Sequence, residues 1–304
     1  MRRLLFSVAV LLLSSGCAAS HSTPSSTSTV NAVKSLQALE KAAGPTVALT
    51  PGASDFAPGE IRYPFLVIAD NGASIERPSA QVWVARGLRE RPFERRAARL
   101  QQVGVPGGAK REVSHLYVVY LNIPSPGKYW VLAKPLGGKA IGGLGNVFVR
   151  RQTFSPAIGS MAYASRTPTL RSARGKSSLV TTRVPPDRAL LRYSIAESLA
   201  AHKPFVVVFA TPKFCTSRTC GPVVDVVGAV QRRFTKTDIR FIHVEIYRDN
   251  DPAKGFNRWV GQWHLPTEPW VFLVGRDGKI KGKFEGSVSV DELDAAVRKY
   301  LADE

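Results

Sequence analysis

The most constraining feature of the chain is a run of seven residues, Pro204 to Ala210 (PFVVVFA), that no polar side chain interrupts. Such a run has no face to offer to water. It fits a strand buried on both sides at the centre of a sheet. Beyond it, helical and strand-like stretches alternate. Gly221 to Phe234 carries apolar residues at helical spacing, Ile239 to Ile246 (IRFIHVEI) reads as a second buried strand, and Gly255 to Trp263 reads as a helix. Trp270 to Val274 (WVFLV) is a strand, and Arg276-Asp277-Gly278 turns it into Lys279 to Phe284. Ser194-Ile-Ala-Glu197 and Ser289-Val-Asp-Glu292 have capping-box spacing and open helices at either end of this series. The order βα βα ββα predicts a central mixed four-stranded sheet with helices on both faces over residues 191–304.

The preceding half reads differently. Between residues 45 and 150 short alternating or β-branched runs succeed one another: Ile61 to Ala69, Gln81 to Ala85, Ser114 to Asn122, Tyr129 to Ala133 and Asn146 to Val149. Turn signals such as Asp70-Asn71-Gly72 and Pro126-Gly127 separate them. This spacing predicts an all-β, immunoglobulin-like sandwich. Residues 151–190 are rich in Ser, Thr, Arg and Pro and form a connector, expected to lie over the second domain as an extended segment.

The N-terminus decides the expected compartment. Arg2 and Arg3 precede an apolar stretch, Leu4 to Leu13, that is too short to span a bilayer of about 30 Å. Small residues and Cys17 come next. The pattern resembles a bacterial lipoprotein signal, in which residues 1–17 direct export and Cys17 is lipidated, although Ser14 stands where such signals prefer an aliphatic residue. An ordinary secretory signal is the alternative. Residues 18–44, beginning with a Ser/Thr-rich stretch, are expected to be a tether. The expected location is therefore extracytoplasmic, with the membrane as a partner through the lipid anchor.

Composition excludes other classes. Of 304 residues 44% are hydrophobic and 21% charged, which is globular rather than disordered. Lys and Arg number 42 against 23 Asp and Glu, a net charge of +19. Arginines concentrate between Arg86 and Arg111, with Phe93 as their one interleaved aromatic. For an exported chain this predicts a solvated basic loop, or attraction to anionic lipid or cell-wall polymer, and no nucleic-acid partner.

Three cysteines are too few for a disulfide-dense scaffold or a four-cysteine zinc site. Apart from Cys17 there remain Cys215 and Cys220, and in an oxidising compartment such a pair points to a disulfide or a redox dithiol. Cys215 comes after the buried strand and Thr211-Pro-Lys-Phe, and precedes a helix, whose N-terminus favours a thiolate. Lys213 adds positive charge. Cys220 lies further in, before Gly221-Pro222.

These residues, with Pro222-Val-Val-Asp, Glu268-Pro269 ahead of the strand at Trp270, and the RDGKIKGKFEG hairpin, resemble the thioredoxin-like superfamily, in particular such domains in exported lipoproteins of actinobacterial type. The resemblance implies an α/β thioredoxin-like domain behind the sandwich. It also implies a cis bond at Pro269, which would shape a substrate groove. The function implied is thiol–disulfide exchange with the thiols or disulfides of exported proteins, with Cys215, Cys220 and Pro269 as the catalytic set and neither cofactor nor metal required. Two departures stand out. The cysteines are spaced C-x4-C rather than C-x-x-C, and residues five apart on a helix are about 7.5 Å apart along its axis, so a bridge requires Cys215 on the loop or an unwound first turn. Val206 to Val208 offer no buried carboxylate as a proton relay. The alternatives are a binding module with a structural disulfide, a peroxiredoxin-like thiol peroxidase that the C-x4-C spacing also resembles, and a copper chaperone using His264 with the dithiol.

Overall fold

The structure is a computed structural model that describes residues 34–107, 114–214 and 223–302, all within one compact unit, Lys34–Glu304. Cys17, Cys215 and Cys220 lie outside the described residues.

Seven strands build the first half: β1 (Thr46–Pro51), β2 (Gly59–Ile68), β3 (Ser79–Ala85), β4 (Glu94–Gln102), β5 (His115–Ile123), β6 (Gly127–Pro135) and β7 (Gly142–Val149). Their order is β1-β2-β5-β4-β3-β6-β7, and β1 pairs with β7 in parallel, Thr46 opposite Gly142 and Ala48 opposite Leu144, to close a barrel. The strands alternate as period-2 geometry demands. Ile61, Tyr63, Phe65 and Val67 of β2 point inward and meet Tyr117, Val119 and Leu121 of β5 and Tyr129 and Val131 of β6 in a single core. Each such large side chain contributes about 1.5–3 kcal/mol by leaving water. At the seam β7 needs a glycine: a Cβ at Gly145 would sit 2.6 Å from the Leu49 carbonyl oxygen.

The expected immunoglobulin-like sandwich is thereby corrected. Two packed sheets and one closed barrel both read as alternating strands, and only the long-range pairing of the first strand with the last separates them. Outside the barrel, helix α1 (Leu36–Ala43) covers Leu132 and Ala85 and falls within the stretch expected as a tether.

The second sheet has the order β11-β10-β8-β9, from β8 (Phe205–Phe209), β9 (Arg240–Val244), β10 (Trp270–Val274) and β11 (Ile280–Glu285). β8 and β9 are parallel; the other pairs are antiparallel. Every residue of β8 is buried, as the uninterrupted apolar run requires. Helices α3 (Val223–Arg233) and α5 (Val290–Leu301) pack Val226, Val230, Leu293 and Val297 onto one face, against Val206, Val208, Val271 and Leu273.

The opposite face corrects the expectation of an α/β thioredoxin-like domain with helices on both sides, and with it the family resemblance. Phe205, Val207, Phe209 and Phe272 are covered there mainly by irregular chain, by α2 (Ile195–Ala200) with six residues and by α4 (Arg258–Gln262) with five. Helix is a minor component beside the closed barrel. The helix expected at 255–263 is short because Gly255 has φ +69° and Asn257 caps the chain only at Arg258. The connector fills the space instead. Ser160 and Ala162 bond the backbone of Ile280 and Gly278, and Ser165 accepts the indole N–H of the buried Trp263.

Candidate functional site

The candidate site is the end of the second sheet where the chain leaves β8. Pairing of Phe209 with Trp270 brings the exit of β8 alongside the entry to β10. Of the expected catalytic set only Pro269 lies among the described residues. It is buried, and the Glu268–Pro269 peptide bond is cis. Cys215 and Cys220 have no described position, so nothing shows them as a redox pair. The described chain reaches Phe214 on one side of them and resumes at Val223, the first residue of α3, on the other.

Three titratable side chains that the sequence pattern did not assign to a site converge here. Glu268 accepts from the backbone N–H of Thr211 at 3.3 Å. Burial pushes its carboxyl up to about 7, the charge of Glu245 adds to this, and the Thr211 N–H opposes it. Glu245, just past β9, is buried; its Oε1 accepts from the backbone N–H of Thr182 at 2.5 Å and from the Thr182 hydroxyl at 2.8 Å. Its Oε2 has no hydrogen-bond partner among the described residues, nor does the buried Thr211 hydroxyl.

His243 on β9 lies behind them. Its Nε2 is 3.0 Å from the Ala210 carbonyl oxygen and so carries the hydrogen, leaving Nδ1 to accept from the Thr181 hydroxyl at 3.3 Å. Burial holds its pKa below the usual imidazole range, against the opposing charge of Glu245. The neutral imidazole thus has a structural role, binding β9 to the exit of β8.

The connector closes the site from another side. The Lys213 N–H donates to the Thr182 hydroxyl at 3.2 Å. Phe214 meets Tyr247 edge-on at 6.3 Å, and Tyr247 stacks on the exposed Phe256 at 5.7 Å. Burial raises the Tyr247 phenol, with the charge of Glu268 adding to it.

β8 itself carries no carboxylate; Glu245, just past β9, and Glu268, in the lead-in to β10, come from the two strands that flank it. A signal existed in the sequence. An acid two residues after a histidine in an otherwise apolar strand shares that histidine's face, and an acid directly before Pro269 sits at the strand entry. Chemically, a carboxyl that titrates near neutrality exchanges protons with a neighbouring group without a large energy cost.

Among the described residues no group of three His, Cys, Asp or Glu side chains is placed to hold a metal ion. His264, the ligand of the copper alternative, is exposed, with its ring 6.0 Å from that of Tyr163. A separate cleft of about 790 Å³ between the barrel and the second sheet is lined by Arg62, Tyr120, Trp270, Lys283 and Glu292, but by none of Thr211, His243, Glu245 or Glu268. No helix among the described residues is long and apolar enough to cross a membrane. No known protein family matches the chain, and no curated protein is similar to it in sequence.

Proposed function

We propose that the chain is an extracytoplasmic, membrane-anchored thiol–disulfide oxidoreductase that acts on exported proteins through Cys215 and Cys220, with Cys17 as the lipidated anchor. One observation supports this most: the residues that flank the cysteine segment bring together Glu268, Glu245, Thr211 and Pro269, and the Glu268 carboxyl titrates near 7. Thiol exchange needs such a group, because the attacking species is the thiolate and the proton must go elsewhere.

In the reducing direction the Cys215 thiolate attacks one sulfur of a substrate disulfide. The substrate S–S bond breaks and its second sulfur leaves as a thiolate. The Cys220 thiolate then attacks Cys215 in the mixed disulfide, which releases the reduced substrate and leaves Cys215 bonded to Cys220. Oxidation of a substrate dithiol is the reverse sequence. Glu268 takes up the proton when a thiol ionises and returns it to the leaving thiolate.

The test is alkylation of each single-cysteine variant, after reduction, as a function of pH. Cys215 reacts faster than Cys220 below about pH 7, and Glu268→Gln alters that profile. If both thiols stay inert and the bridge resists reduction in the native protein, the disulfide is structural and the chain is a binding module.

A further inference from the structure

The β3–β4 hairpin carries the strongest local charge of the described barrel. Arg86, Arg89, Arg91, Arg95, Arg96 and Arg99 are all exposed, against Glu90 and Glu94. Glu94 is spent on Arg96, at 2.6 Å. Arg86 is held inward by the Ser125 hydroxyl and lies over the Tyr129 ring at 5.1 Å. Arg89, Arg91, Arg95 and Arg99 have no hydrogen bond or ion pair to a carboxylate among the described residues.

Large apolar side chains are exposed beside them. Phe93, at the base of the hairpin tip, is 43% exposed. Phe148 is 59% exposed and stands opposite Lys128 in the β6–β7 pairing. Lys128 lies over Trp130 at 4.8 Å, and Arg95, which is paired with Trp83, lies over that ring at 5.9 Å. Trp83 and Trp130 pack beneath α1 with Leu36 and Leu39, and Phe93 rests edge-on against the core ring of Tyr129 at 5.5 Å, so the apolar surface left open beside the cations is that of Phe148 and the outer part of Phe93. Exposed phenylalanine beside cations suits the boundary between lipid headgroups and acyl chains, where the ring inserts and guanidinium groups meet phosphate.

The path of the chain points to the same surface. Leu36 and Gln37 open α1 by donating their backbone N–H groups to Glu90 at 2.9 Å and Leu88 at 2.8 Å, both in the hairpin tip. The described chain therefore begins, at Lys34, beside Arg89 and Arg91. The residues ahead of Lys34 thus join the barrel at this end.

We propose that the β3–β4 hairpin, with Phe93, Lys128 and Phe148, is a docking surface for anionic phospholipid that holds this end of the barrel against the membrane. The inference rests on the membrane-anchored reading above but uses neither Cys17 nor the cysteine pair. Lipid is favoured over an anionic polymer because the exposed phenylalanines, which a polymer contact would leave in water, are buried by it.

The protein from Ala18 onward retains the whole unit Lys34–Glu304 and carries no lipid, so binding reports on the surface alone. It is mixed with vesicles of phosphatidylcholine, or of phosphatidylcholine and phosphatidylglycerol in equal parts, and sedimented. It binds the anionic vesicles and not the neutral ones, and salt weakens the binding. At about 1 kcal/mol per arginine, the combined change Arg89→Gln, Arg91→Gln and Arg95→Gln lowers affinity about a hundred-fold. Phe148→Ser lowers it further. Removing as much charge from the other half of the unit, by Arg174→Gln, Lys176→Gln and Lys236→Gln, leaves binding within about two-fold of the wild type. Equal binding to neutral vesicles, or equal loss in the two triple variants, overturns the proposal. So does retention on heparin with no binding to anionic vesicles. Circular dichroism melts matching the wild type show that the variants fold. Failure of Cys17→Ala to release the protein from membranes would count against the anchor and leave this result standing.

Discussion

The backbone N–H of Thr211 donates to Glu268 Oε2 at 3.3 Å, and this bond joins the residue that leaves the central strand to the residue before Pro269. The exit of one strand and the entry of its neighbour thus share an acid. That acid is half-buried, faces the charge of Glu245, and holds its proton to about pH 7.

Stability should fall as pH rises through the range of Glu268. Its folded pKa lies above the ordinary value of 4.5, so the folded state binds the extra proton between about 4.5 and 7. The stabilisation is complete below 4.5 and lost above 7. A shift of this size is worth about 3 kcal/mol for a fully buried group, and partial exposure reduces it to about 1–2 kcal/mol. Glu268→Gln keeps the acceptor for Thr211 and removes the ionisation. It should be more stable than the wild type at pH 8 and indistinguishable at pH 4, as read from urea midpoints at the two pH values.

The roles of the two thiols are separable by trapping. On the proposed function, in which Cys215 attacks and Cys220 resolves, Cys220→Ser should accumulate mixed disulfides with exported proteins. Cys215→Ser should accumulate few. Non-reducing gels of the two variants after acid quenching decide the assignment, and the reverse pattern makes Cys220 the nucleophile.

Barrel and second sheet are joined by a buried ion pair. Arg62 of β2 meets Glu292 of α5 through two bonds, 2.7 and 2.8 Å, with both side chains at or below 10% exposure, and Tyr120 donates to the same carboxylate at 2.8 Å. Glu292→Ala leaves the guanidinium buried and uncompensated, which costs about 3–5 kcal/mol. Arg62→Met combined with Glu292→Leu should recover most of that loss. A double variant no more stable than Glu292→Ala in guanidinium unfolding would mean that the pair itself, not the orphaned charge, supplies the stability.

Closure of the barrel depends on a residue without a side chain at the seam. Gly145→Val places atoms against the Leu49 carbonyl oxygen and should cost about 1–3 kcal/mol. Gly261→Ala, in α4 with open space around it, should be neutral or slightly stabilising. Thermal melts of the two variants compare the seam with an unconstrained site.

Strands and their faces were legible in the order of residues alone. The uninterrupted run at 205–209 required burial on both sides, the alternation of Ile61, Tyr63, Phe65 and Val67 specified an inward face, and Ser194 with Glu197 closed a reciprocal capping box. These are local rules, set by a period of two or by a side chain reaching three residues along. Which edges meet is a long-range matter that no local rule carries. The pairing of Thr46 with Gly142 turned an expected sandwich into a barrel, and Ala162 and Trp263 covered a sheet face where full helices were expected. The acids near the cysteine segment divide in the same way. Glu245 and Glu268 are 23 positions apart and unremarkable one at a time. They acquire a shared environment because β9 and β10 flank β8, and the elevated carboxyl arises from burial and a neighbouring charge, which belong to the folded arrangement and not to any single residue.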